Sequence, residues 1–209
     1  ITLYKLCAKH VIAASEAGYH FLRENLLWVI PVLAVLVGVA FLFTWIYRRA
    51  PHLMGGGIPT SIGMLRGILP CRWISNLLGL FFMSLTSFLI GVPLGNEGPS
   101  VQMGAAVGKA SSHLTGKNRQ AWERYLMTGG ACSGFAIATG APLSGILFAL
   151  EEAHRRFSTT LFTVASISVL AGTVTHRYLS FFFKVDTTFF DLEITQILPM
   201  RYLWTAILV

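Results

Sequence analysis

Four stretches of this chain, residues 26–47, 73–95, 125–150 and 157–175, run without a single charged side chain for about the length of a membrane crossing. A hydrocarbon core of roughly 30 Å takes about 20 helical residues, and within it the backbone must satisfy its own polar groups. Composition agrees: 54% of residues are hydrophobic and 12% charged, against about 25% charged in a soluble domain. Mean hydropathy is +0.64. An all-α polytopic membrane protein follows from these runs.

The crossings differ in regularity. Residues 26–47 read as a conventional span, with Pro31 near the start and Trp45, Ile46 and Tyr47 at an interface ahead of Arg48 and Arg49. The third stretch is interrupted by Gly140-Ala141-Pro142 and reads as two helices, near 121–139 and 142–154. Residues 98–108 are uncharged but too few to span and read as a half-helix. Two further short helices are expected, one from the Gly55-Gly56-Gly57-Ile58-Pro59 turn to about Leu65 and one from about Leu198. Broken helices that begin with Gly and Pro point to an ion or substrate site near the midplane, because irregular backbone at depth needs a protein or water-filled surround. The spacings Gly104/Gly108 and Gly130/Gly134 allow close helix approach and read as packing positions.

The net charge of +7 and pI of 9.7 come from Lys and Arg scattered through short connectors. No basic helix or aromatic-interleaved patch forms, so nucleic acid is not a partner. Arg48, Arg49, Arg66, Arg72, Lys109, Lys117, Arg119, Arg124, Arg155 and Arg156 are expected on one side, cytoplasmic by the positive-inside rule; Arg23, Arg177 and Lys184 are left for the other. Cys7, Cys71 and Cys132 make an odd number without CxxC spacing, and the six histidines have no i,i+3 or i,i+4 pairing, so no disulfide framework or metal site is expected. Catalytic signatures are missing too: there is no G-x-S-x-G elbow and no H-E-x-x-H, and the Gly104 to Lys109 stretch is one residue short of a P-loop. A transporter or channel is expected rather than an enzyme, with no cofactor.

Chemistry concentrates at two glycine-rich helix starts. The first turn of a helix has N–H groups without acceptors and about half a positive charge, a combination that attracts anions. Gly55-Gly56-Gly57-Ile58-Pro59 lets backbone approach a ligand closely, and Gly95-Asn96-Glu97-Gly98-Pro99 repeats the device with a carboxylate added. Glu97 can be an acid that only complements the helix dipole, a loop-tip residue in water, or a tethered surrogate for an anion that leaves when protonated.

These two motifs, the continuation Ser100-Val101-Gln102-Met103-Gly104, and Gly140-Ala141-Pro142-Leu143-Ser144-Gly145-Ile146-Leu147-Phe148-Ala149-Leu150-Glu151-Glu152 together resemble the CLC chloride channels and transporters. The resemblance covers nearly the whole chain. It implies one half of an inverted-repeat fold, residues 1–209 being the first repeat and the start of the second in a piece cut at both ends, and a homodimer in the bilayer with one anion pathway per subunit. It further implies that Gly56, Gly57 and Ile58 line the inner pathway, that Glu97 is the external gate with the Gly98 N–H on the anion, and that Glu152 relays protons inside. For Glu152 a plain salt bridge with Arg155 or Arg156 is the other reading. Two positions depart from the family pattern: Gly56 replaces a serine and Asn96 replaces an arginine, so selectivity is assigned to Gly56 and Asn96. Asn96 resembles the fluoride-exporting branch. The implied ligand is chloride or fluoride exchanged against protons, with a passive channel as the alternative and a membrane-embedded enzyme as a remote one.

Overall fold

The computed structural model describes residues 1–50, 53, 57–92, 95–114 and 120–183, and among them every regular element is helical. In chain order these are α1 (Thr2–Glu24), a single 3-10 turn (Leu26–Trp28), α2 (Val29–Arg49), α3 (Ile58–Leu65), α4 (Trp73–Leu89), α5 (Glu97–Leu114), α6 (Gln120–Thr139), α7 (Pro142–Phe148) running into a π turn (Ala149–Ala153), and α8 (Thr159–Phe183).

The expected crossings at residues 26–47 and 157–175 are α2 and α8. α2 buries none of its residues within the chain, and Ile30, Leu33, Val35 and Phe41 stand on its outside, as a helix solvated by lipid or by further protein requires. The split at Gly140-Ala141-Pro142 is also present. Gly140 takes φ 71°, Ala141 donates its N–H to the Thr139 hydroxyl at 3.3 Å, and Pro142 begins α7.

Several expectations need correction. The second crossing stops at Leu89 rather than residue 95, because Gly91 at φ 80° closes a Schellman motif: Gly91 N–H bonds to the Phe88 carbonyl and Val92 N–H to the Ser87 carbonyl. The same device at Gly67 ends α3 at Leu65, as expected from the sequence. Residues 98–108 are not a half-helix but the body of the 18-residue α5, which is sheathed by protein and buries Ser100, Gln102, Gly104 and Ser112. Arg23, Lys109, Arg124 and Arg177 lie inside α1, α5, α6 and α8 rather than in connectors. The helix expected from about Leu198, Lys184, and the three residues Gly55, Gly56 and His52 fall outside the described residues.

The core centres on α5 against α6, the most extensive helix pair. Both small-residue spacings meet there: a Cβ on Gly104 would strike the Gly130 carbonyl, one on Gly108 the Leu126 carbonyl, and one on Gly134 the Ser100 carbonyl. The seam excludes side chains, so the two backbones touch directly. Val101, Ala105, Ala131, Cys132, Ala136, Ala165 and Val169 continue this tight packing out to α8. A second cluster joins α1 to α4 through Tyr4, Ala8, Leu80, Met83 and Phe88. α1 is anchored by Lys5, whose buried ammonium donates to the Ile137 carbonyl in the last turn of α6 at 2.7 Å.

Candidate anion site

The α5–α6 seam fixes α5, and α5 in turn brings its start against that of α3. Gly57 precedes α3 with φ 52°, and a Cβ there would lie 2.5 Å from the Gly98 Cα. Conversely, a Cβ on Gly98 would lie 3.0 Å from the Gly57 Cα. Only two glycines can stand this close.

At each start the first intrahelical bond reaches back past two or more free donors. Ser61 N–H bonds to the Gly57 carbonyl and Ser100 N–H to the Asn96 carbonyl, so the amides of Ile58, Thr60, Glu97 and Gly98 have no intrahelical acceptor. Pro59 and Pro99 supply no N–H of their own. Two positive helix ends therefore face one another across a pair of glycines.

A cavity of about 360 Å³ opens at this meeting point, lined by Gly57 and Ile58 from one start and by Gly95, Glu97, Gly98 and Pro99 from the other. Tyr47 from the end of α2, Ser84 and Ser87 from α4, and Gln102 one turn further along α5 complete the polar lining. The serines contribute less than their hydroxyls suggest. Ser84 donates to the Leu80 carbonyl at 2.6 Å and Ser87 to the Met83 carbonyl at 2.9 Å, so each offers lone pairs, not a proton, to the cavity. Donors for an anion come from the helix starts and the Tyr47 hydroxyl, with the Gln102 side chain as part of the polar wall.

Of the expected site residues, Gly57, Ile58, Glu97 and Gly98 are thus brought together. Glu97 is the first residue of α5, is exposed, and pairs with no cation among the described residues. Asn96 is adjacent but turned inward; its side chain is buried, with the amide nitrogen lacking a hydrogen-bond partner among the described residues. Gly56 lies outside the described residues. Glu152 sits elsewhere, exposed on the π turn after α7, where its carbonyl rather than its carboxylate accepts from Arg66 at 3.3 Å. The salt bridge present among the described residues is Lys109–Glu123 at 2.8 Å, not one with Glu152. Gln102 and Tyr47 carried no sequence signal as site residues, since nothing in a linear reading tells which side chains of neighbouring helices will meet.

The model of the voltage gated chloride channel family matches residues 20–209. The chain is similar to the H(+)/Cl(-) exchange transporter ClcA of Vibrio cholerae serotype O1, 34% identical over 180 residues that make up 83% of this chain and 38% of that transporter. To ClcA of Yersinia pestis bv. Antiqua it is 29% identical over 197 residues, 93% of this chain and 40% of the relative. Among solved structures, a slow cyanobacterial Cl-/H+ antiporter superposes with a TM-score of 0.74 at 27% identity, covering 98% of this chain and 48% of the antiporter. The chain therefore spans less than half the length of these relatives. The relatives are named as transporters, not enzymes.

Proposed function

This chain belongs to the voltage gated chloride channel family, and from that premise we propose that it is the anion-binding half of a proton-coupled halide antiporter with Glu97 as its gate. The observation that carries this reading is the backbone contact of Gly57 with Gly98, which makes one cavity out of two helix N-termini and sets Glu97 on its wall.

The physical argument is competition. An ionised Glu97 and a halide both seek the N–H donors at the starts of α3 and α5, and two negative charges at one site repel. Protonation removes the charge of Glu97 and leaves the donors to the halide. A proton then enters whenever the anion displaces the carboxylate, which links the two fluxes.

Glu152 is the proposed inner proton carrier; its exposure on the π turn, away from the cavity, supports a proton route that diverges from the anion route. Selectivity is assigned to Gly56 and Asn96. Asn96 is buried beside the α5 start with its amide nitrogen unpartnered and does not line the cavity, so in this reading it tunes selectivity by shaping the helix start, and the halide is chloride or fluoride. The basic connectors face the cytoplasm in this reading, and two copies associate in the bilayer. Residues 1–209 form the first repeat and the start of the second. Anion selectivity of the full-length protein in liposomes tests the assignment. A fluoride-to-chloride flux ratio that shifts in Asn96→Arg is the expected result, and an unchanged ratio overturns the role of Asn96.

A further inference from the structure

A second polar cavity, of about 320 Å³, lies far from Glu97 in the chain and is lined by Ala121, Arg124, Tyr125, His154, Arg156, Ser158 and Leu161. No carboxylate lines it. Two other cations nearby have partners: Arg66 donates to the Ala153 carbonyl at 2.8 Å and to that of Glu152, and Lys109 pairs with Glu123. Arg124 and Arg156 have no acceptor among the described residues.

Local backbone aims these groups. Arg155 takes φ 51°, the one positive φ outside glycine among the described residues, and the reversal places His154 and Arg156 on the cavity wall on either side of it. Such a conformation in a non-glycine residue is strained and persists where surrounding structure enforces it. His154 is also oriented. Thr128 donates its hydroxyl proton to the Arg124 carbonyl at 2.8 Å, so its oxygen accepts from His154 Nε2 at 3.0 Å. The neutral ring therefore carries its proton on Nε2 and leaves Nδ1 free to gain one.

From the convergence of Arg124, Arg156, His154 and the Tyr125 and Ser158 hydroxyls on one cavity without a counter-ion, we propose that this is a binding site for a phosphate group, with the headgroup of an anionic phospholipid as its source. Two planar guanidinium forks match a multi-oxygen anion and not a spherical halide. The surround of the cavity favours lipid: Trp122 is 45% and Phe157 72% exposed beside the cavity residues, as aromatic side chains at headgroup level are.

Burial and the charges of Arg156, Arg66 and Arg124 hold His154 below its ordinary 6.5. A bound phosphate offsets that repulsion, so binding strengthens as pH falls. The groups facing His154 are Arg66 from α3, Arg124 and Thr128 from α6, and Arg156 and Ser158 beyond it; Glu151 and Glu152 stand exposed on its own turn.

The test uses the full-length protein in detergent with equimolar phosphatidic acid and phosphatidylcholine of matched acyl chains, read by native mass spectrometry, with inorganic phosphate as competitor. Expected is a preference for phosphatidic acid of about tenfold or more, lost in Arg124→Gln/Arg156→Gln and kept in Arg48→Gln/Arg49→Gln. The preference grows from about pH 7.5 to about pH 5.5, and His154→Gln removes that growth. Binding of inorganic phosphate without a lipid preference keeps the phosphate site and makes its source a soluble one. Equal losses in both double variants mean diffuse surface charge and overturn the proposal, as does the lack of any phosphate or phosphatidic acid binding. Should the double variant unfold, Arg156→Gln alone, an exposed turn residue, replaces it.

Discussion

Three of the described helices start with a small residue and a proline within their first turn: α3 at Gly57-Ile58-Pro59, α5 at Glu97-Gly98-Pro99 and α7 at Ala141-Pro142. The first two meet glycine to glycine and wall a common cavity; the third does not. Instead α7 presses Gly145 against Ala136 and the Cys132 carbonyl of α6 and then loosens into the π turn that carries Glu152. A glycine-proline start supplies unpaired N–H groups wherever it occurs. It becomes a site only when a second start shares the space.

The largest expected effects follow from adding side chains to each kind of start. Gly57→Val or Gly98→Val forces the α3 and α5 starts apart and is expected to lower halide affinity at least about a hundredfold, since the donors no longer converge; isothermal titration of the full-length protein measures it. Gly145→Val has nowhere to go against α6 and is expected to cost about 1–3 kcal/mol of stability while halide affinity in the folded fraction holds. If the α7 variant lost affinity as the α3 variant does, the distinction between the starts would fail.

Gln102→Leu keeps volume but removes polar lining from the cavity, and an affinity up to about tenfold weaker is expected. Ser87→Ala is the contrasting control. Because the Ser87 proton already serves the Met83 carbonyl, a change below about threefold is expected. Glu152→Gln sharpens the comparison of the two glutamates: proton flux falls while halide binding at the α3–α5 cavity stays within about twofold of the parent.

The smallest effect is at His154. Its pKa is lowered in the folded protein, so below about 6.5 the unfolded chain binds the proton more readily and stability declines as pH falls through the window under that value. Thermal unfolding in phosphate-free, lipid-free detergent should show a shallow decline, flattened in His154→Gln and opposed by added phosphatidic acid.

The sequence revealed α2 and α8 because uncharged apolar runs of that length have one physical solution in a bilayer. It hid α1 because Lys5, Lys9, Glu16, Arg23 and Glu24 interrupt the run, and only the fold reveals that Lys5 is spent on the end of α6. α5 reads too short for a related reason: Lys109 ends the uncharged run at residue 108, although it pairs with Glu123 of α6 and the helix continues to Leu114. Gly91 was readable as a helix stop in hindsight of its Ile90-Gly91-Val92-Pro93 setting. At the site, the motifs marked Gly57, Ile58, Glu97 and Gly98, yet the contact between Gly57 and Gly98 spans some forty residues of chain and belongs to tertiary structure alone. Gln102 and Tyr47 entered by the same route.

Everything in this account turns on Glu97 competing with an anion for the helix donors. Full-length Glu97→Gln protein in liposomes, with halide efflux and proton uptake recorded together, puts that competition to the test. Loss of proton movement with retained halide flux is the predicted result, because a neutral side chain vacates the donors permanently; unchanged coupling of the two fluxes would contradict it.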